Sequence, residues 1–257
     1  MSDKPYYIPP SLLTTRNVKT EKGEKLGWKT YILYMSPHKQ NSLGKNICPM
    51  ATPGCSSACL YGSGKGSMST VQRGRTNKTE MFLHNRELFI STLHSEVAQI
   101  SAKHEVEGGD FTIRLNGTSD IPWENIQVSG GKNLFELFPK VQFYDYTKIH
   151  SRFEKKLPEN YYLMFSRSET NNVQAMELLE RKINVAMVFD KIPETHSGYQ
   201  VVNGDENDLR FLDKQGVIIG LKYKKLTGKG VDNGAAFKNG FAIRTETIVK
   251  FETGLAA

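Results

Sequence analysis

The sequence predicts an α/β protein, either a complete or partial (β/α) barrel or, as the competing architecture, an open doubly wound sheet. Three observations carry that reading. Short β-branched and aromatic runs alternate with amphipathic stretches, the pattern of a parallel sheet with helices outside it. Polar residues stand where each run ends, as on the rim at which parallel α/β folds bind ligands. All three cysteines of the 257 residues, Cys48, Cys55 and Cys59, fall in one loop after the first of these runs.

Each element has its own local reason. Residues 1–27, with Pro5, Pro9 and Pro10, read as an extended N-terminal arm, and residues 28–257 as a single α/β domain, a length that suits one large core. Trp28 to Tyr34 is aromatic and β-branched and is predicted as a strand. From Lys78 to about Lys103 the apolar residues Phe82, Phe89, Leu93, Val97 and Ile100 share one face, which predicts the longest helix. After Gly108-Gly109, strands are expected at 111–115, 141–146, 161–165, 185–189, 199–202 and 217–221. Helices are expected at 133–138, 171–182 and 207–214 between several of them.

Composition narrows the function. With 38% hydrophobic and 24% charged residues the chain has a globular balance and no disordered character. The sequence offers no run of transmembrane length and no N-terminal apolar signal, so the expectation is no membrane partner and a cytoplasmic setting. A net charge of +7 favours acidic partners, and Lys65, Arg73, Arg75 and Lys78 follow the cysteines closely. A small-molecule substrate of a metal-cluster-dependent enzyme is the first expectation, and the alternative is a nucleic-acid or host-protein binding module with a structural zinc or cluster site, nucleic acid being the secondary partner.

The cysteine loop reads C-x6-C-x3-C, and its Pro and Gly residues exclude long regular structure. Structural zinc sites show paired C-x2-C knuckles and four protein ligands, and neither occurs here. Three cysteines alone suit a 4Fe-4S iron-sulfur cluster whose fourth iron binds something other than cysteine. Zinc completed by His38 or a rim carboxylate, and redox thiols without metal, remain as alternatives. His150 is noted because it follows a strand end.

Two tempting motifs lack the required spacing. Gly62-Ser63-Gly64-Lys65-Gly66-Ser67 has Gly66 after its lysine where a phosphate loop needs Ser or Thr, so it reads as an anion-tolerant turn. Gly204-Asp205-Glu206-Asn207-Asp208 lacks the calcium-loop order. The strand-end rule nominates Asp120, Asp145 and Lys148 as catalytic groups, with Glu206 a further candidate acid. It assigns cofactor or substrate binding to Asn116, Ser166, Arg167, Ser168, Asn203 and Asp205.

The ordered motifs Cys48-Pro49, Cys55 to Cys59 with Leu60-Tyr61, Arg75 to Thr79, Ile113-Arg114 leading to Ser119-Asp120, Tyr146-Thr147-Lys148 and Ser166-Arg167-Ser168 are similar to those of a known family. Over about residues 28 to 190 the chain resembles the bacteriophage gene product eighty-eight family. The resemblance implies a phage-encoded protein of the host cytoplasm and supplies no activity. Leu60 between Cys59 and Tyr61 departs from the pattern. Gly228 to Gly240 lacks the cysteines some relatives carry, so no second metal site is expected. A more distant likeness is to radical S-adenosylmethionine enzymes, in which a three-cysteine loop follows the first barrel strand. Their C-x3-C-x2-C spacing differs, and only the architecture carries over, with S-adenosylmethionine as a conditional cofactor.

Overall fold

Seven strands were expected, and all seven form in the computed structural model, which describes residues 6–15, 18–226 and 231–245. The expectations for residues 1–5, 16–17 and for the start of the Gly228–Gly240 segment lie outside the described residues. In chain order the elements are β1 (Leu13–Thr14), α1 (Val18–Glu24), β2 (Trp28–Leu33), α2 (Pro53–Ser57), α3 (Ser69–His84), α4 (Arg86–Glu107) and β3 (Asp110–Arg114). Next come β4 (Gln127–Ser129), β5 (Lys132–Asn133), α5 (Leu134–Leu137), β6 (Gln142–Thr147), β7 (Tyr161–Ser166), α6 (Asn172–Glu180) and β8 (Val185–Phe189). The chain continues through β9 (Thr195–His196), β10 (Tyr199–Asn203), β11 (Ile218–Lys222), α7 (Ala235–Lys238) and β12 (Ala242–Ile243).

Ten strands make one mainly parallel sheet in the order β1-β2-β3-β6-β7-β8-β11-β10-β9, with β12 also joined to β8. This order has two edges, so a complete barrel does not form among the described residues. From β2 to β8 each new parallel strand is added beside its predecessor, and the direction reverses only at β11 and β10. The lower half of β8 pairs with β7 through Val185 and Ala186, whereas its upper half pairs with β12 through Val188 and Phe189. The last strand therefore wedges between β7 and β8 at their carboxyl ends.

Registered neighbours fix the two faces. Tyr31, Ile113, Phe143 and Tyr161 are cross-strand partners and pack together with the buried Phe89, Leu93 and Val97 of α4. Each such fully buried side chain contributes about 1.5–3 kcal/mol. On the opposite face, Tyr146 pairs with Met164, and Ser166, Ala186 and Ile219 form the next row. The segment after β10 covers part of this face: the Asp208 carboxylate accepts from Arg114 Nη1 at 2.9 Å and from the Tyr144 and Tyr146 hydroxyls at 3.0 Å.

Three expected elements differ. The long helix is two, α3 beginning nine residues early and α4 starting after Asn85, whose Oδ1 accepts from Leu88 N at 3.0 Å and caps the second helix. Residues 207–214 form only a 3-10 turn, Arg210–Leu212, because burying Asp208 and Arg210 against the sheet overrides helical propensity. The described part of the N-terminal arm is not merely extended: β1 pairs antiparallel with β2, and α1 follows it.

Candidate functional site

A cavity of about 350 Å³ opens at the carboxyl ends of the parallel strands, and Cys48, Cys55 and Cys59 all line it. The loop that carries them is built from short turns. Thr52 caps α2 by accepting from Cys55 N at 3.1 Å, and Pro53 occupies the first helical turn, where its missing N–H costs nothing. Gly54 N donates to Glu169 Oε1 at 2.6 Å, which ties the cysteine helix to the loop after β7. Cys48 is held from the other side, its thiol donating to the Thr118 carbonyl at 3.6 Å. Gly117 makes this approach possible, since a Cβ there would lie 2.8 Å from the Leu33 carbonyl oxygen.

All three cysteines are free thiols. Burial pushes the Cys48 thiol up to about 12 and raises Cys59 as well. Such thiols stay protonated near neutrality and are poor nucleophiles. A metal would have to displace those protons, which is how thiolate sites couple binding to proton release.

Asn116, Asp120, Lys148, Ser166 and Asp205 line the same cavity, as expected. Asp120 is tightly held: Thr147 Oγ1 donates to it at 2.7 Å and Lys148 N at 2.8 Å, with Arg152 Nη1 at 3.3 Å. Burial raises its pKa, against the pull of these donors. Lys148 Nζ donates to Ser166 Oγ at 3.0 Å. Burial alone would lower the lysine, but Cys55, Asp120, Cys48 and Cys59 raise its pKa against that effect, a pull the cysteines exert only as thiolates.

Four nominated residues serve the frame instead of the cavity wall. Asp145 is buried behind it and accepts from Asn116 N at 2.6 Å, Asn116 Nδ2 at 3.1 Å and the Tyr161 hydroxyl at 3.0 Å. Asp145 and Tyr146 point to opposite faces of the strand, and on the Asp145 side the cavity is lined by Thr147, two residues nearer the strand end. Arg167 donates through Nη1 to the carbonyls of Gly240 at 2.5 Å and Phe241 at 3.1 Å, fixing the β12 wedge. Ser168 N is capped by Asn171 Oδ1 at 2.6 Å, and Asn203 Oδ1 accepts from Asp205 N at 3.1 Å.

The other marked residues divide similarly. His38 lines the cavity, whereas His150 meets Glu177 at 3.0 Å elsewhere on the fold, in a group whose carboxylates already hold Arg181. The acidic run after β10 closes loops: Asp205 accepts from Lys222 N at 3.0 Å and Lys224 Nζ at 3.1 Å, and Glu206 from Asn203 Nδ2 at 3.3 Å. Of the four basic residues after the cysteines, Lys65 and Arg73 are exposed. Arg75 sits between the Tyr34 and Tyr61 rings, at 4.9 and 5.6 Å, and Lys78 donates to the Leu12 carbonyl at 2.6 Å. A contact surface made from all four does not exist.

Sequence reasoning did not nominate Lys222, Tyr223, Lys224 or Phe241, which complete the cavity. The first three lie at the end of β11, so the strand-end rule applied one strand further would have found them. Phe241 follows a glycine before a two-residue strand and gives no periodic signal.

The donor set has a definite spread. Among the described residues, the only three His, Cys, Asp or Glu side chains with ligand atoms all within 4.8 Å of one another are His150, Glu154 and Glu177. The three thiols share a cavity, but at least one pair of them stands further apart than that. Fold and site together define an α/β protein with a cysteine-walled pocket at the carboxyl edge of a parallel sheet. Residues 11–244 match the family model described as Gene product 88, and the chain belongs to this phage gene product family. The match extends beyond the segment that carries the resembling motifs. No curated protein and no solved structure matches the chain. Among the described residues no helix is long and apolar enough to cross a membrane.

Proposed function

We propose that Cys48, Cys55 and Cys59 hold a 4Fe-4S iron-sulfur cluster and that the chain is a cluster-dependent enzyme whose small-molecule substrate occupies the rest of the cavity. The spread of the thiols carries this reading. A single tetrahedral zinc with Zn–S near 2.3 Å would draw all its sulfurs to about 3.8 Å of one another, and at least one pair of these three cysteines stands further apart than 4.8 Å. A cluster binds each thiolate to a different iron and accommodates wider spacing. When bound, it would supply one-electron chemistry at the iron without a cysteine.

The chain's own residues support the assignment. Lys148 places positive charge among the three thiols, where an anionic metal–thiolate group would sit. Ser166 orients its ammonium, and Asp120 fixes its backbone. Asn116 is held by Asp145 and offers no free rotation, so it serves as a rigid wall. Val188, Leu221 and Phe241 add apolar surface to the cavity lining, Phe241 and Val188 in the same cluster as Cys55, and limit water there. The one-directional winding from β2 to β8 is that of a partial barrel, whose mouth is the usual ligand site. A reducing host cytoplasm suits thiol-bound iron.

Anaerobic purification followed by iron and sulfide analysis tests the proposal. About four irons and four sulfides per chain are expected, with a brown chromophore lost in Cys48→Ala, Cys55→Ala and Cys59→Ala variants that retain far-ultraviolet circular dichroism. A colourless protein with stoichiometric zinc would overturn it. Addition of S-adenosylmethionine to the anaerobic protein tests the more specific version: a changed cluster spectrum is expected if the open iron binds that cofactor, and an unchanged one removes it.

A further inference from the structure

The wall that carries the cysteines is unusually free of negative charge. From Lys25 to Thr79 the sequence has no Asp or Glu and eight Lys or Arg. A second acid-free run extends from Lys214 to Val231 and includes Lys222, Lys224 and Lys225. These two stretches are far apart in sequence, yet the fold joins them. Ser63 forms an antiparallel bridge with Leu226, and a Cβ at Gly62 would lie 3.6 Å from a Leu226 methyl. The glycine turns Leu60–Gly62 and Gly64–Ser67 therefore run alongside the end of β11.

The result is a cationic rim on one side of the cavity mouth. Lys65, Lys222, Lys224 and Lys225 are all exposed. Only Lys224 has an acidic partner among the described contacts, Asp205, and that carboxylate is also occupied by Lys222 N. Apolar surface accompanies the charge: Leu60 is 50% exposed and Met68 53%, and the Tyr223 ring lines the cavity between Lys222 and Lys224. Basic side chains interleaved with apolar and aromatic ones are the surface that single-stranded nucleic acid favours, phosphates on the cations and bases on the flat groups. The cavity, about 350 Å³, has room for one base, which an enzyme acting on a base takes out of its stack.

We infer that the rim binds single-stranded nucleic acid and presents one nucleotide to the cysteine-walled pocket. This rests on the pocket of the function proposed above but puts a nucleotide of a strand where that reading has a free small molecule, and it does not depend on which metal the cysteines hold. The rim differs from the basic cluster visible in sequence, since Arg75 and Lys78 turn inward and the β11 lysines replace them.

Fluorescence anisotropy with a labelled 20-nucleotide single strand, at several salt concentrations, tests the inference on the full chain. Binding is expected to weaken with salt. The triple variant Lys65→Glu, Lys222→Glu and Lys225→Glu should bind at least about tenfold more weakly, with a log–log salt slope smaller by about 2, since each lost phosphate contact removes about 0.7. A control triple, Lys132→Glu, Lys140→Glu and Lys156→Glu, changes exposed lysines outside the mouth and should retain most of the affinity. Equal loss in both variants would reduce the effect to net charge and overturn the assignment. So would salt-independent binding, or equal binding of polyglutamate with the same dependence on the rim lysines. Metal content measured on the same samples separates the two proposals: the rim variant should keep whatever the wild type holds.

Discussion

Replacing Gly54 with alanine should loosen the helix that carries Cys55 and, with it, the proposed metal site. A Cβ at this position would lie 2.6 Å from Glu169 Oε1 and 2.7 Å from both Cδ and Oε2. The carboxylate must then swing away and surrender the 2.6 Å bond from Gly54 N. A hydrogen bond to a charged group is worth about 1.5–3 kcal/mol. Alanine's helical advantage over glycine returns at most about 1 kcal/mol, and less in a five-residue helix. A net loss of about 1–2 kcal/mol is expected, read as a lower urea midpoint with unchanged slope. Glu169→Ala removes both the bond and the obstacle, and it also removes Oε2, a buried oxygen without a hydrogen-bond partner. The double variant should therefore be more stable than the sum of the single losses by about 1 kcal/mol or more, as contacting residues in a double-mutant cycle behave. Strict additivity would refute the steric argument. Metal content per chain should follow the same order, lowest in Gly54→Ala.

Other outcomes follow from the same geometry. Burial pushes the Asp145 carboxyl up to about 7, so the folded state binds a proton there that the unfolded chain releases near 4. Its contribution is full at low pH and is lost as pH rises through 7. The stability difference between wild type and Asp145→Asn, measured in urea at pH 5 and pH 8, should accordingly shift against the wild type at pH 8. A Cβ at Gly117 would meet the Leu33 carbonyl at 2.8 Å and Tyr34 Cδ1 at 2.6 Å. Gly117→Ala should thus cost about 1–3 kcal/mol, and a neutral result in chemical denaturation would contradict the close strand approach. Asp208→Ala leaves the Arg114 guanidinium and two buried hydroxyls without their acceptor. Thermal unfolding should register about 3–5 kcal/mol for the broken buried pair, with Asp208→Asn recovering part of it.

Much of the strand layout was legible because a parallel sheet buried on both faces demands runs such as Val185–Phe189 and Ile218–Lys222, whose apolar content is local information. The cavity was legible in outline for a related reason: parallel strands deliver their polar ends to one rim. Orientation was harder to read. Asp145 and Tyr146 are adjacent at a strand end, and only the pleat decides which face of the sheet each one takes. The break at Asn85 was hidden because Phe82 and Phe89 stay on one apolar face across it, while the cap itself depends on a single side-chain bond. Asp208 and Arg210 defeated a helical reading of their segment because their partners, Arg114, Tyr144 and Asp213, include residues from strands almost a hundred positions earlier. Distant contacts of that kind leave no periodic trace.

The β12 wedge also sets an order of events. Strands β2, β3, β6, β7 and β8 can pair as they leave the ribosome, each against the one before it. The apolar support of Cys55 and Ala58, however, comes from Ala236, Phe241 and Ala242, on and just before β12, which are translated after every other parallel strand of the main sheet. The Cys55 helix thus gains its last apolar contacts only when synthesis is nearly complete, after Thr118 and Glu169 are available to the loop. If the cysteines hold the group proposed above, the pocket around it is completed by the last strand of the sheet to be made.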